Sequence, residues 1–153
     1  MHIPSISWND EGEKALLVMD ENRVSHIAVV DNGEYHGLIS DNEIYDLDDT
    51  FVPIKKVKPV LIKPFVKQYD YIYDILSVFA ANNITAIPVL DDNDRYIGII
   101  GQGQIIKALQ KITNANEPGS VIVLGLNIRD YSMAQVAQII ESEGAKILSS
   151  YTS

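Results

Sequence analysis

Side chains that could carry out chemistry are few in this chain, and they do not form the arrangements that catalysis uses. Ser25 and His26 offer a hydroxyl and an imidazole, but on an alternating strand neighbouring side chains diverge, so the two cannot form a nucleophile–base pair. The chain has no Gly-x-Ser-x-Gly, His-Glu-x-x-His or P-loop pattern, and no cysteine for thiol chemistry or Cys-ligated metal. We therefore expect that the protein is not an enzyme.

Two further stretches imitate ligand-binding motifs. Gly101-x-Gly103 lies between a predicted strand and a predicted helix, as a dinucleotide-binding fingerprint does, but Ile106 stands where its last glycine is required. The acidic run Asp91–Asp94 is followed by Arg95, which breaks the EF-hand pattern. We interpret the acidic run as a surface turn and expect no metal site.

Composition and charge narrow the class of protein. The 153 residues are 46% hydrophobic and 22% charged, which is typical of one or two globular domains. Residues 1–50 contain 12 acids and two bases, a net charge of −10, so binding to nucleic acid is not expected. The lysines at 55, 56, 58, 63 and 67 form either a solvated linker or a local anion site.

No segment has the character of a membrane span or a signal peptide. The longest strongly apolar runs, such as Val121 to Leu126, are far shorter than the roughly 20 residues that cross a bilayer. The start, Met1-His-Ile-Pro4, lacks a charged region followed by an apolar stretch. We expect a cytoplasmic protein without a membrane partner.

The chain repeats itself at an offset of about 60 residues. The segment from Ala15 to Asp31 aligns with the segment from Ile75 to Asp91, and one additional residue in the second turn shifts the later pairs. The identical pairs are Pro4/Pro64, Asp10/Asp70, Leu16/Leu76, Val18/Val78, Asn22/Asn82, Ile27/Ile87, Val29/Val89, Asp31/Asp91, Tyr35/Tyr96, Gly37/Gly98, Ile39/Ile100 and Ile44/Ile105. Two units with the same fold are therefore predicted.

Each unit has the same predicted order: an extended segment, a helix, two strands and a second helix. Asn9 or Asp10 is expected to cap the first helix, Asn32-Gly33 is a strong hairpin signal, and Ser40 is expected to cap the second helix. The predicted elements span 4–7, 11–22, 27–31, 35–39 and 42–47 in the first unit, and 64–67, 70–82, 86–90, 95–100 and 103–112 in the second.

The repeated stretches resemble a known family. The segments from Asn22 to Asp31 and from Gly37 to Glu43, with their counterparts at 82–91 and 98–101, resemble the cystathionine-β-synthase-type (CBS) domain. Two copies over about residues 3–112 are similar to a CBS pair, or Bateman module. The resemblance implies an α/β fold of two pseudo-symmetric β-α-β-β-α units, residues 1–57 and 58–114, and a regulatory function.

The resemblance also implies a ligand site. Family members bind adenosine-containing ligands in the clefts between the two domains, and a Gly, two apolar residues, Ser or Thr, two variable residues and Asp hold the ribose. Gly37 and Ser40 match this motif, and Glu43 replaces its Asp. Ser25 and His26 occupy the strand entry where family members often place phosphate-contacting basic residues, and His26 is the better candidate of the two. The alternative is a structural role, which is the more frequent one for a histidine at a strand start.

The second copy lacks the side chains of this motif. Gly101 and Gln104 replace the hydroxyl and the carboxylate, so we expect one site per pair, around Ser40 and Glu43. The surrounding acidic residues oppose a polyphosphate and favour a ligand with little negative charge, such as adenosine, AMP or S-adenosylmethionine. ATP would need a divalent metal to offset this repulsion, and no cofactor is required.

Residues 118–153 form a third segment. Ser120–Asn127 and Ala145–Ser149 are predicted strands on either side of a helix that opens at 130–132 and ends near Gly144. This β-α-β segment resembles the first half of a ferredoxin-like ACT domain. Because the third strand of that topology lies between these two, we expect either that the chain is truncated or that another chain fills the gap. The alternative is a strand and a helix docked on the CBS pair.

The sequence therefore predicts a regulatory module that senses an adenosine-type ligand and forms a homodimer through its helical faces. Tyr69 and Tyr73 share a helical face, which predicts a core or dimer-interface stripe. The alternative function is a ligand-free CBS pair that acts as a dimerisation and interaction scaffold.

Overall fold

The computed structural model describes residues 3–57, 59–127 and 132–151. The chain divides into two compact units, residues 1–105 and 106–153. In chain order the elements are α1 (Gly12–Asn22), β1 (His26–Asp31), β2 (Glu34–Ser40), α2 (Asp41–Tyr45), α3 (Ile54–Val57), β3 (Val66–Lys67), α4 (Ile72–Asn82), β4 (Ala86–Leu90), β5 (Tyr96–Gly101), α5 (Gln102–Ile112) and α6 (Met133–Ser142).

The predicted repeat is confirmed strand by strand. β1 pairs with β2 and β4 pairs with β5, both antiparallel, and each hairpin has a register shift at the equivalent place, after Val29 and after Val89. The extended segment before the first helix of each repeat pairs in parallel with the first hairpin strand of the same repeat. Ile6 pairs with Val29, and Val66 pairs with Val89. The two units therefore share both topology and register.

The first hairpin turns as its sequence predicts. Asn32 and Gly33 have φ values of 51° and 80°, the left-handed backbone that a two-residue turn requires at both positions. Asn tolerates this conformation and Gly adopts it without steric cost. The turn aligns β1 and β2 so that His26 lies opposite Ser40 at the open end of the hairpin.

The prediction that Asn9 or Asp10 caps α1 is wrong. Glu11 occupies the N-cap position and its side chain makes no capping bond. The Asp10 carboxylate instead accepts from the backbone N–H of Ser7 at 2.8 Å, and Asp70 accepts from Lys67 at the same distance. In each repeat the aspartate therefore stabilises the turn before the helix. Its carboxylate bonds to the backbone of that turn instead of capping the helix.

The core of residues 1–105 has two parts. Within the first repeat, α1 and α2 pack on the hairpin through Ala15, Met19, Ile27, Ile39 and Ile44. A second cluster joins the hairpins of the two repeats. It contains Ile3, Ala28, Tyr35, Leu38, Val66, Ile84, Ala86, Ile87, Leu90 and Ile99. Because side chains of both repeats share this second cluster, the pair folds as one unit.

In the C-terminal unit the predicted helix is confirmed and the two predicted strands are wrong. Ser132 caps α6 by accepting from Gln135 N–H at 3.4 Å, and Gly144 follows the helix with φ 81°. The predicted opening at Asp130 and Tyr131 lies outside the described residues. Residues 120–127 and 145–149 are not strands, because neither pairs with another strand in the part of the chain that the structure describes.

The tyrosine stripe is not part of the core. Helix α4 begins at Ile72, after Tyr69 and Tyr71, and the side chains of Tyr69, Tyr71 and Tyr73 are all exposed. The core alternative is therefore wrong, and the dimer-interface alternative stays a prediction. Among the helices described, none is both long and apolar enough to span a membrane.

Candidate functional site

Four of the five predicted site residues lie near the open end of the first hairpin. His26 and Ser40 are register partners across β1 and β2, and Ser25 immediately precedes β1. Glu43 stands in the first turn of α2, whose N-cap is Ser40. The hairpin and the helix that follows it thus place a hydroxyl, an imidazole and a carboxylate at one end of the sheet.

Ser40 and Glu43 form a complete capping box. The Ser40 hydroxyl accepts from Glu43 N–H at 3.2 Å, and one carboxylate oxygen, Oε2, accepts from Ser40 N–H at 2.7 Å and from its hydroxyl at 2.8 Å. Ser at the N-cap with Glu three residues later is the sequence signature of this cap. One oxygen of Glu43 is therefore committed to the helix, and Oε1 makes no hydrogen bond within the described part of the chain.

The second repeat keeps half of this arrangement. Gln104 Oε1 accepts from Gly101 N–H at 2.9 Å, as Glu43 does from Ser40, but Gly101 supplies no hydroxyl. A Cβ at position 101 would lie 3.2 Å from Ile3 Cδ1 and 3.4 Å from Val24 Cγ1. Apolar side chains therefore occupy the space beside Gly101, and no charged group stands in the ligand position of this copy.

Gly37 lies further along β2, and the structure shows why it is glycine. Its φ is +147°, and a Cβ there would lie 2.5 Å from Leu61 Cβ and 2.8 Å from the Ile62 carbonyl oxygen. Leu38 N–H donates to that same carbonyl at 2.8 Å. The absent side chain lets the segment between the repeats pack on β2. A ligand contact at Gly37 stays a prediction.

Ser25 and His26 contact the second repeat through Thr85. The Thr85 hydroxyl oxygen accepts from Ser25 N–H at 2.8 Å and lies 3.0 Å from His26 Nδ1. Thr85 N–H donates to the same Nδ1 at 3.3 Å. Sequence analysis did not single out Thr85, which has no charge and belongs to no motif. The offset of 60 that makes Thr85 the counterpart of Ser25 was the available signal, because equivalent positions meet near the axis between two symmetric repeats.

Burial lowers the pKa of His26 below its usual value, while the nearby charges of Asp41 and Glu43 act in the opposite direction. The imidazole is therefore neutral at pH 7. A neutral histidine supplies a hydrogen bond but no positive charge. The first repeat's site thus combines the carboxylates of Asp41 and Glu43 with one neutral imidazole, which suits hydroxyl and ring-nitrogen groups better than a polyphosphate.

A cleft of about 590 Å³ opens at the other end of the hairpins. Its lining residues are Asn32, Gly33, Glu34, Tyr35, Lys63, Phe65, Leu90, Asn93, Asp94 and Arg95, and none of the five predicted site residues is among them. With β1 six residues long, this cleft is roughly 20 Å from His26. Within the described residues no group of three His, Asp or Glu side chains is placed to hold a metal ion.

Comparison with known proteins identifies the fold and the family. The CBS domain model matches residues 9–48 and 54–111, which is most of the two repeats. The chain belongs to the CBS domain family. The two matched ranges correspond to the tandem pair that the internal repeat and the duplicated hairpins define.

Two curated relatives come from Methanocaldococcus jannaschii. An uncharacterized protein is 30% identical over 122 residues, which is 70% of this chain and 40% of the relative. Inosine-5'-monophosphate dehydrogenase is 26% identical over 142 residues, 91% of this chain and 28% of the relative. The chain therefore spans less than half the length of these two proteins.

Solved structures share the fold. A CBS domain pair/ACT domain protein from Thermotoga maritima superposes with a TM-score of 0.60 at 22% identity, over 71% of this chain and 96% of that one. CBSX2 in complex with AMP superposes with a TM-score of 0.60 at 19% identity, over 72% of this chain and 89% of that one. At these identities the likeness establishes the CBS-pair architecture.

Proposed function

We propose that this CBS pair is a non-enzymatic regulatory module that binds one adenosine-containing small molecule beside Ser40 and Glu43. The observation that carries the proposal is the asymmetry between the repeats. His26, Ser40 and Glu43 converge at the open end of the first hairpin, whereas Gly101 faces Ile3 and Val24 in the second. The solved complex of the structurally similar CBSX2 with AMP supports the class of ligand.

The role of each residue follows from its contacts. Glu43 Oε1, free of the capping box, accepts from a ribose hydroxyl, because a carboxylate is a strong acceptor for paired hydroxyls. The Ser40 hydroxyl stays within the cap and holds the carboxylate in place. His26, which joins the first repeat to Thr85, transmits occupancy of the site to the contact between the repeats. Ligand then favours one arrangement of the pair over another, which is a population shift.

A thermal-shift series tests this function with adenosine, AMP, ADP, ATP, NAD and S-adenosylmethionine, with and without Mg²⁺. A ligand at 100 times its Kd adds about 2.7 kcal/mol, which raises Tm by roughly 5–10 °C in a protein of this size. We expect a shift with adenosine, AMP or S-adenosylmethionine and a smaller one with ATP alone. No shift with any of the six would support the scaffold alternative.

The variant that tests the site is Glu43→Gln rather than an alanine. Gln104 shows that a glutamine at this helical position still accepts from the N-cap N–H, so the variant keeps the cap and loses the charge. Losing a charged acceptor lowers ligand affinity about 10- to 100-fold. Gln104→Ala, at the equivalent position of the second repeat, leaves affinity unchanged. Equal affinity in wild type and Glu43→Gln would overturn the site assignment.

The scaffold alternative is favoured by the outer face of α4. Helix α4 is rich in apolar residues, yet none of them is fully buried, whereas α1 buries Gly12, Ala15 and Met19. Tyr71, which precedes α4, and Tyr73, in its first turn, are 79% and 68% exposed. We propose that a second copy of the chain covers this face.

Analytical sedimentation of wild type, Tyr73→Asp and the α1 control Leu17→Asp tests this interface. Dissociation of the dimer in Tyr73→Asp alone supports the interface, and a monomeric wild type overturns it.

A further inference from the structure

The hydrogen bonds around His26 determine where its proton lies. A backbone N–H can only donate, so Thr85 N–H, 3.3 Å from Nδ1, requires a lone pair on that nitrogen. The Thr85 hydroxyl oxygen accepts from Ser25 N–H at 2.8 Å, which leaves its own hydrogen free to point at Nδ1, 3.0 Å away. Both donors of one residue are therefore directed at Nδ1, and the ring proton is on Nε2.

The opposite nitrogen remains available. His26 Nε2 makes no hydrogen bond within the ranges that the structure describes, and the residue is only half-buried. We propose that Thr85 of the second repeat fixes His26 as the neutral Nε2–H tautomer and so makes it an uncharged hydrogen-bond donor to the ligand bound by the first repeat. This inference rests on the proposed function and adds a positioning residue from the other repeat.

The proposal has a consequence for specificity. The charged groups that act on His26 are the carboxylates of Asp41 and Glu43, both from the start of α2, and the second repeat contributes the uncharged Thr85. An uncharged donor near two carboxylates favours adenosine over AMP. Protonation of His26 would place a hydrogen on Nδ1 against Thr85 N–H, break that bond and offset the negative charge. Acidification therefore improves AMP binding relative to adenosine.

The tautomer is tested on the free protein, without any ligand. Nitrogen-15 chemical shifts of the His26 ring at pH 7.5 are expected to show an unprotonated Nδ1 and a protonated Nε2. Thr85→Val removes the hydroxyl, which is the closer of the two donors to Nδ1, and keeps only the N–H at 3.3 Å, so it should raise the population of the Nδ1–H tautomer. Thr85→Ser keeps the hydroxyl, as Ser25 does in the first repeat, and should match wild type. An Nδ1–H tautomer in wild type, or no change in Thr85→Val, would overturn the proposal.

The donor role is tested by calorimetric titration of adenosine and AMP at pH 7.5 and pH 5.5. We expect Thr85→Val to weaken adenosine binding about 2- to 10-fold, the effect of one hydrogen bond, with Thr85→Ser restoring it. Where acidification protonates His26, whose pKa is lowered by burial, the adenosine-to-AMP affinity ratio should fall further in wild type than in His26→Asn. Asn offers Oδ1 to Thr85 N–H and does not titrate.

Two controls separate the possible failures. The phosphate of AMP itself titrates near pH 6, but this change is common to wild type and His26→Asn and therefore cancels. His36→Asn alters an imidazole packed against Trp8, with ring centroids 5.8 Å apart, and should behave as wild type. Equal adenosine affinity in wild type and Thr85→Val would overturn the donor role alone. Absence of binding by adenosine, AMP and S-adenosylmethionine alike would overturn the proposed function, while the nitrogen shifts still decide the tautomer.

Discussion

The two repeats agree in the hydrogen bonds that shape the chain and differ in the groups that could bind a ligand. Asn22 and Asn82 each donate to the carbonyl four residues earlier at 2.8 Å, and Arg23 and Asn83 end their helices in the left-handed conformation. At the hairpin ends the copies diverge, because Ser40 lies where the second repeat has Gly101. Both copies need their turns and caps in order to fold, whereas the ligand-binding groups are needed in only one copy.

A second difference lies in packing. Helix α1 is enclosed on one side by the segment before α3, since Glu13 N–H donates to Thr50 O and Ile54 N–H donates to Asp10 O, both at 3.0 Å. Helix α4 has no buried residue. The same helix in the same topology therefore buries three residues fully in one copy and packs on the core only through partly buried residues in the other. Paired substitutions at equivalent positions test whether these differences contribute to the free energy of unfolding.

The largest expected difference in stability is between alanine substitutions at the equivalent positions Gly37 and Gly98. Gly37→Ala combines a positive φ with a Cβ 2.5 Å from Leu61 Cβ, so we expect a loss of about 4 kcal/mol from strain and overpacking together. Gly98→Ala meets nothing within 4 Å and should change stability by less than about 0.5 kcal/mol. Urea unfolding measures both. Similar losses at the two positions would show that the close approach of Leu61 is not what distinguishes the repeats.

The next effect separates α1 from α4. Met19→Ala removes a side chain that is 2% exposed, so we expect a loss of about 3 kcal/mol in the free energy of unfolding. Phe79→Ala, at the equivalent position, removes a partly buried ring and should cost about 1.5 kcal/mol at a protein concentration where the chain is monomeric. A larger loss for Phe79→Ala that grows with protein concentration would instead place Phe79 in the dimer interface.

Much of the fold could be predicted because its signals are local. The helices α1, α2, α4 and α5 and the four hairpin strands lie within two residues of their predicted bounds, since periodicity, Asn32-Gly33 and the Ser40-x-x-Glu43 cap act over a few residues. The short helix α3 was not predicted. The prediction of strands at 120–127 and 145–149 was wrong, because strand formation depends on contacts that are not local. A β-strand requires a neighbour in the sheet, and apolar alternation does not say whether one exists.

The candidate site was only partly predictable. Ser40 and Glu43 are recognised by their spacing, because the cap that positions them spans three residues. Thr85 could not be found by charge or motif, because one of its contacts to His26 uses a backbone N–H and all of them join positions about 60 residues apart. The role of Gly37 was equally hidden, since it depends on where Leu61 packs. Contacts between the repeats need the tertiary structure.

A smaller effect separates the two helix caps. Glu43→Ala removes the acceptor of two hydrogen bonds from Ser40, so we expect a loss of about 1.5 kcal/mol. Gln104→Ala removes one and should cost about 1 kcal/mol or less. Differential scanning calorimetry without ligand checks this, with Glu43→Gln expected near wild type. Glu43→Ala at wild-type stability would mean that the carboxylate is not engaged by the cap and is free for other contacts.

The smallest effect has opposite signs in the two repeats. Tyr35 donates to Pro64 O at 2.9 Å, whereas the equivalent Tyr96 hydroxyl is buried without a partner among the described residues. Burial raises the pKa of Tyr96 to about 12, so the hydroxyl stays protonated and its hydrogen-bonding capacity is unused. Tyr35→Phe should therefore lower the free energy of unfolding by about 1 kcal/mol and Tyr96→Phe should raise it by up to about 1 kcal/mol.

Chemical denaturation at pH 7 measures both tyrosine variants under identical conditions. A Tyr96→Phe variant more stable than wild type would show that the repeats differ in the hydrogen bonding of their buried hydroxyls as well as in packing. A loss in both variants would instead mean that Tyr96 finds a partner in solution, and the carbonyl of Pro4, the counterpart of Pro64, is the group that symmetry supplies. In that case the second repeat completes the same hydroxyl-to-proline bond as the first, and its divergence is confined to the Gly101 end of the hairpin.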